Sequence, residues 1–85
     1  MSAAAWTALA TMGLGVAVDL SFVWWSRSTH KLDMWGAVAS AALIQIFGVV
    51  GLLIVVHDPT MIAANVAGHA IGSGLGVRLA QQEKT

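Results

Sequence analysis

Five side chains in this largely apolar sequence have the chemistry to bind or pass something: Asp19, Gln45, Asn65, His69 and Ser73. Asp19 is the lone charge of one apolar stretch, and Gln45 lies near the middle of a second. Asn65, His69 and Ser73 recur every fourth residue in a third. A step of four on an α-helix drifts by only about 40° from the 3.6-residue period, so these three share a face. Polar groups at membrane depth are costly, which makes them functional candidates by default. Read functionally, the five form a polar seam that carries protons, an ion or a small polar substrate, with Asp19 and His69 as its titrating pair. Read structurally, they are interhelical hydrogen bonds that set register, each worth about 1 kcal/mol. His69 stands between Gly68 and Ala70, and a histidine among small residues also has room to ligate a tetrapyrrole ring. No other cofactor is expected. His57 with Asp58 reads as an exposed capping pair rather than a metal site, and His30 as solvated. No nucleophile elbow, phosphate loop or paired-histidine zinc signature is present, so the chain does not read as an enzyme.

The elements that must position these groups are helices in lipid. Charged residues are only 9% of the chain and hydrophobic residues 58%. An ordinary globular chain carries about 25% charged residues, and a chain of 85 residues cannot hide so much apolar surface in a core of its own. Net charge is zero and no basic block exists, so nucleic acid is not an expected partner. Cysteine is absent, which excludes disulfides, thiolate metal sites and thiol nucleophiles. Three apolar segments stand out, Ala3–Trp25, Trp35–Val56 and Met61–Val77. A spanning helix needs about 20 mostly apolar residues. The expected fold is therefore all-α, one membrane domain of three transmembrane helices over about 3–26, 34–57 and 59–80. The start lacks the positive region of a secretory signal, so the first span is expected to be retained. Asp33 is a good N-cap for the second helix, and Asp58-Pro59 suits the start of the third. Helices two and three then form a tight antiparallel hairpin.

Three crossings place Arg27, Lys31, Arg78 and Lys84 on one side. Basic residues mark the cytoplasmic face, so the N-terminus is expected outside, the C-terminus inside, and the chain multi-pass in the inner (plasma) membrane. Trp6, Trp24, Trp25 and Trp35 fall near helix ends, where interfacial aromatic belts form. Ala64, Gly68, Gly72 and Gly76 make a smooth face on the third helix. Gly36, Ser40 and Gly48 share a row on the second, and Gly13 and Gly15 lie on the first. Small residues let backbones approach closely in lipid. Besides the bilayer, the expected partner is a second copy, paired through the third-helix face, or a larger membrane complex.

The stretch from Asp58-Pro59-Thr60 through Ala64, with Gly68, Ala70, Gly72 and Gly76 after it, resembles a family of uncharacterised bacterial and phage membrane proteins. These have an Asn/Asp-Pro turn before a glycine-rich last span, and the resemblance implies a three-helix membrane unit. Length, helix count and the Pro59 to Asn65 segment are also similar to half-transporters of the SemiSWEET type, which would make Asn65 a substrate contact. Their Pro-Gln motif is absent, and Asp19-Leu20 stands about where it would fall. Three functions follow as expectations. The first is a self-associating or accessory subunit acting through Gly/Ala helix packing. The second is an oligomeric small transporter or channel, and the third a phage holin.

Overall fold

The computed structural model describes residues 2–83, and of Glu83 only the backbone. Three long helices are present, α1 (Ala3–His30), α2 (Met34–His57) and α3 (Ile62–Glu83), with a single 3₁₀ turn at Pro59–Met61 leading into α3. No strand occurs among the described residues.

The ends of these helices follow local chemistry. The Ser2 side chain accepts from the Ala5 N–H at 3.2 Å and caps α1. Asp33 accepts from the Gly36 N–H at 3.1 Å and caps α2. Asp58 Oδ1 accepts from both the Thr60 N–H at 3.2 Å and the Thr60 hydroxyl at 2.6 Å, holding the turn in which Pro59 opens the 3₁₀ segment. Each of these oxygens satisfies a donor that a helix start leaves open. The third helical segment opens at Pro59, and the Asp58 turn tightens its first three residues into 3₁₀ geometry. The expected end of the first helix near 26 is corrected. Ser26 to His30 contain no glycine or proline, and the Thr29 hydroxyl bonds back to the Ser26 carbonyl at 3.0 Å, so the helix runs on. It stops at Leu32, whose φ of 59° is left-handed.

The helices lie in a flattened layer with extents of 42 × 26 × 17 Å. α1 is the middle member, and α2 and α3 each pack along its length. α2 runs antiparallel to α1, with Ser28 against Gly36 at one end and Thr7 beside Val56 and His57 at the other. α3 runs parallel to α1, with Met12 against Gly68, Asp19 against Gly72 and Val23 against Gly76. α2 and α3 scarcely touch, and meet where Asn65 faces Gly51 near the turn. The tight hairpin expected of them is therefore corrected. They share a short turn but splay apart, because α1 takes the small-residue face of each.

Burial is inverted relative to a water-soluble protein. Thr11, Ser21, Ser28 and Ser40 are buried, as are Gly15, Gly36, Gly51, Gly68, Gly72 and Gly76. Met61 is the only large apolar side chain buried among the described residues, while Trp6, Ile46, Leu53, Val56 and Val66 are among many that face outward. The buried hydroxyls do not seek partners across the seams. Ser40 donates to the Gly36 carbonyl at 2.7 Å and Thr11 to the Thr7 carbonyl at 2.8 Å, inside their own helices. Such back-bonding satisfies the hydroxyl and presents a small aliphatic surface to the neighbour. α1 and α2 are long and apolar enough to cross a membrane. α3 has the length, at about 33 Å for its 22 residues, but is richer in glycine and polar groups.

Candidate functional site: a carboxylate–imidazole pair in the α1–α3 seam

The site is built on glycines. A methyl group added at Gly68 would fall on the Met12 carbonyl oxygen, and one at Gly72 would lie 2.9 Å from the Val16 Cα and 2.8 Å from the Asp19 Cβ. From the other side, a methyl at Gly15 would lie 2.9 Å from the backbone of Gly68 and His69. Only hydrogen fits at these points, so the two backbones come close enough for short polar side chains to reach across. The Gly68, Gly72 and Gly76 face is thus occupied by α1 of the same chain. Within the chain, the face expected to pair with a second copy lies against α1. Ala64, the first member of the row, is half-buried.

At this seam Asp19 receives two hydrogen bonds from α3. His69 Nδ1 lies 3.2 Å from Oδ1, and the Ser73 hydroxyl donates to Oδ2 at 3.1 Å. Both carboxylate oxygens are therefore engaged by residues four apart on one helix. With Nδ1 turned to the carboxylate, Nε2 is the free nitrogen of the ring. Ser73 touches the carboxylate and not the imidazole, so the three do not form the nucleophile–base–orienter chain of acyl-transfer enzymes. The side chain of Asp19 keeps 21% of its exposure and that of His69 42%, so the pair sits at the wall of the seam and faces open space.

Two hollows flank it. One, of about 240 Å³, lies between α2 and α3 over α1 and includes Gly15, Val18, Gly51, Val55, Asn65 and His69. It extends from the pair toward the His57–Pro59 turn. The other, of about 670 Å³, includes Asp19, Ser26, Arg27, Ser73 and Ala80 and extends toward the α1–α2 loop. His69 lines only the first and Asp19 only the second, so their hydrogen bond joins the two.

The five polar residues thus divide. Asp19, His69 and Ser73 are directly bonded, and Asn65 shares the first hollow with His69. Gln45 stands apart, on an exposed position of α2 in a shallow recess with Phe22 and Trp25, whose rings are 5.5 Å apart. It is no part of the pair's surroundings, because α2 turns that face away from α3. Neither Gln45 nor Asn65 has a side-chain hydrogen bond among the described residues. No group of three metal-ligating side chains occurs among the described residues.

Of the other positions singled out, Trp6, Trp24 and Trp35 are exposed and Trp25 half-buried. Trp24 and Trp25 lie more than a turn inside α1 because that helix extends to His30. Arg27, Lys31 and Arg78 share one end of the layer, since α1 and α3 are parallel, while Lys84 lies outside the described residues. Gly15, Ser26 and Arg27 were not anticipated as parts of the site. The spacing of Thr11, Gly15 and Asp19, each four apart, is the signal that would have found Gly15, since it matches the Gly68, Gly72 and Gly76 row opposite. No known protein family matches the chain, and no curated protein and no solved structure is similar to it, so its chemistry has to be argued from the site itself.

Proposed function

We propose that the chain is an integral protein of the inner membrane that crosses it three times, with its N-terminus outside and its C-terminus in the cytoplasm, and acts as a self-associating or accessory subunit. One observation carries the reading: the seams are lined by Gly, Ser and Thr while the large apolar side chains face outward. A layer of this kind has no hydrophobic core in water. In lipid the arrangement is the ordinary one, since small residues make the helix contacts and large ones meet the acyl chains. Arg27, Lys31 and Arg78 at one end supply the orientation.

Association is supported by what the seams leave over. Gly13 on α1 and Gly74 on α3 face open space, and on α3 Gly74 shares a face with the exposed Ala63 and Ala70. These small residues offer a close-packing surface distinct from the occupied Gly68 face. The amide of Gln45, on an exposed position, favours a protein neighbour over acyl chains, because an unpaired amide in hydrocarbon costs several kcal/mol, about 4–8 on the cyclohexane scale. The test is topology and extraction together. A reporter fused after Thr85 reads cytoplasmic, one inserted at Thr60 reads external, and the protein stays with membranes through an alkaline carbonate wash. An external signal after Thr85, or release by the wash, refutes the reading.

A further inference from the structure

We propose that the Asp19–His69 pair is a proton-transfer site linking the two sides of the membrane. The inference rests on the membrane reading above and adds an activity to it. The pair lies inside both helices, away from their ends: Asp19 is 11 residues from the end of α1 at His30, and His69 is seven residues into α3. At about 1.5 Å per residue these are roughly 16 Å and 10 Å, which puts both groups well inside a hydrocarbon core about 30 Å thick.

The hollow on the external side reaches His69 from the vicinity of Val55 and Asn65, within a turn or two of the His57–Pro59 connection. The hollow on the cytoplasmic side reaches Asp19 from the vicinity of Ser26, Arg27 and Ala80. Each hollow is lined by a different member of the pair, and the hydrogen bond of 3.2 Å between them joins the two. A structural register bond needs no such access on either side.

The transfer balances without any other reactant. With Asp19 ionised and His69 neutral, Nδ1–H donates to Oδ1. Water in the external hollow gives a proton to the free Nε2, and the Nδ1 proton passes to Oδ1. The carboxylic acid then releases its proton to water in the cytoplasmic hollow. The imidazole, now carrying its proton on Nε2, returns to the starting tautomer by a ring flip and exchange with water in the external hollow. Ser73 positions the carboxylate by holding Oδ2. No titratable group faces the pair from α2, whose wall in the external hollow is Phe47, Gly48, Gly51, Leu52 and Val55. On the cytoplasmic side Arg27 of α1 lines the hollow with Asp19 and is the only other charged residue to do so among the described residues.

The experiment uses the full chain in vesicles containing a trapped pH dye. A potassium diffusion potential, negative inside, is imposed with valinomycin, and inward proton movement is followed. The expected result is acidification faster than in protein-free vesicles. That excess is lost in Asp19→Asn, which keeps the shape of the side chain but cannot take up and release a proton, and in His69→Ala, and is retained in part in Asp19→Glu. Protein that resists the carbonate wash but gives no excess flux overturns this inference alone, as does undiminished flux in Asp19→Asn. Protein released by the wash overturns the membrane reading with it. Flux that follows sodium rather than protons, and survives His69→Ala, also overturns it.

Discussion

Two glycines two residues apart on α3 have opposite surroundings. Gly72 has no room for a methyl group against Val16 and Asp19, whereas Gly74 has nothing within 4 Å. Overpacking a close contact costs about 1–3 kcal/mol, so Gly72→Val is expected to lower stability by that amount, read as a shift in the denaturation midpoint in mixed micelles followed by helicity. Gly74→Val is expected to leave the midpoint nearly unchanged but to reduce the yield of chemically cross-linked oligomer in membranes. Equal midpoints for the two variants would mean that α1 and α3 are not in contact as described. Leu32 is a second position where one residue decides much. Its φ of 59° is costly for any side chain, and it is 90% exposed, so no packing compensates. Leu32→Gly is expected to raise stability by about 0.5–1 kcal/mol, the left-handed strain less the greater backbone freedom of glycine.

At the scale of elements, capping side chains set where α2 and α3 begin. Asp33 supplies the first donor acceptor of α2, and Asp33→Ala is expected to cost about 1 kcal/mol, visible as increased amide exchange confined to residues 34–37. Exchange that rises along all of α2 instead would show that the cap is not a local feature. The same carboxylate crowds Gly36: a methyl there would lie 2.5 Å from both Asp33 Oδ2 and the Ser28 hydroxyl. The loop is therefore tied to the α1–α2 seam, which explains why α1 continues past the tryptophans to reach it. Sequence reasoning recovered both caps because they depend on neighbours three residues away or fewer. The polar run from Ser26 reads as a break in the sequence, yet no residue in it opposes a helix, so α1 continues to His30.

The arrangement of the whole molecule is testable with cysteines, since the chain has none of its own. Val23 Cγ2 lies 2.7 Å from where a Cβ at Gly76 would stand, which places the two Cβ positions within reach of the ~3.8 Å that a disulfide needs. Val23→Cys with Gly76→Cys is expected to form an intramolecular bond under mild oxidation, detected as a mobility shift. Ile44→Cys with Ser73→Cys, at similar depth on α2 and α3, is expected not to, because α1 lies between those helices. The reverse outcome would mean a compact three-helix bundle instead of a layer. The layer matters for the site, because the splay of α2 from α3 is what leaves the hollow over Gly15 and the way to His69.

What the sequence alone determined is local: three apolar helical segments, the caps at Asp33 and Asp58, the small-residue rows, and the presence of an acid, an imidazole and a hydroxyl within otherwise apolar segments. These follow from propensity, spacing and the cost of polar groups, all read within a few residues. Which row meets which was decided only by the tertiary structure. Apolar residues lie all round these helices, so no single stripe marks an inner face. The choice falls to how closely two backbones can approach, a property of pairs of helices. That choice sends Gly68, Gly72 and Gly76 onto α1, brings His69 and Ser73 to Asp19, and leaves Gln45 facing outward.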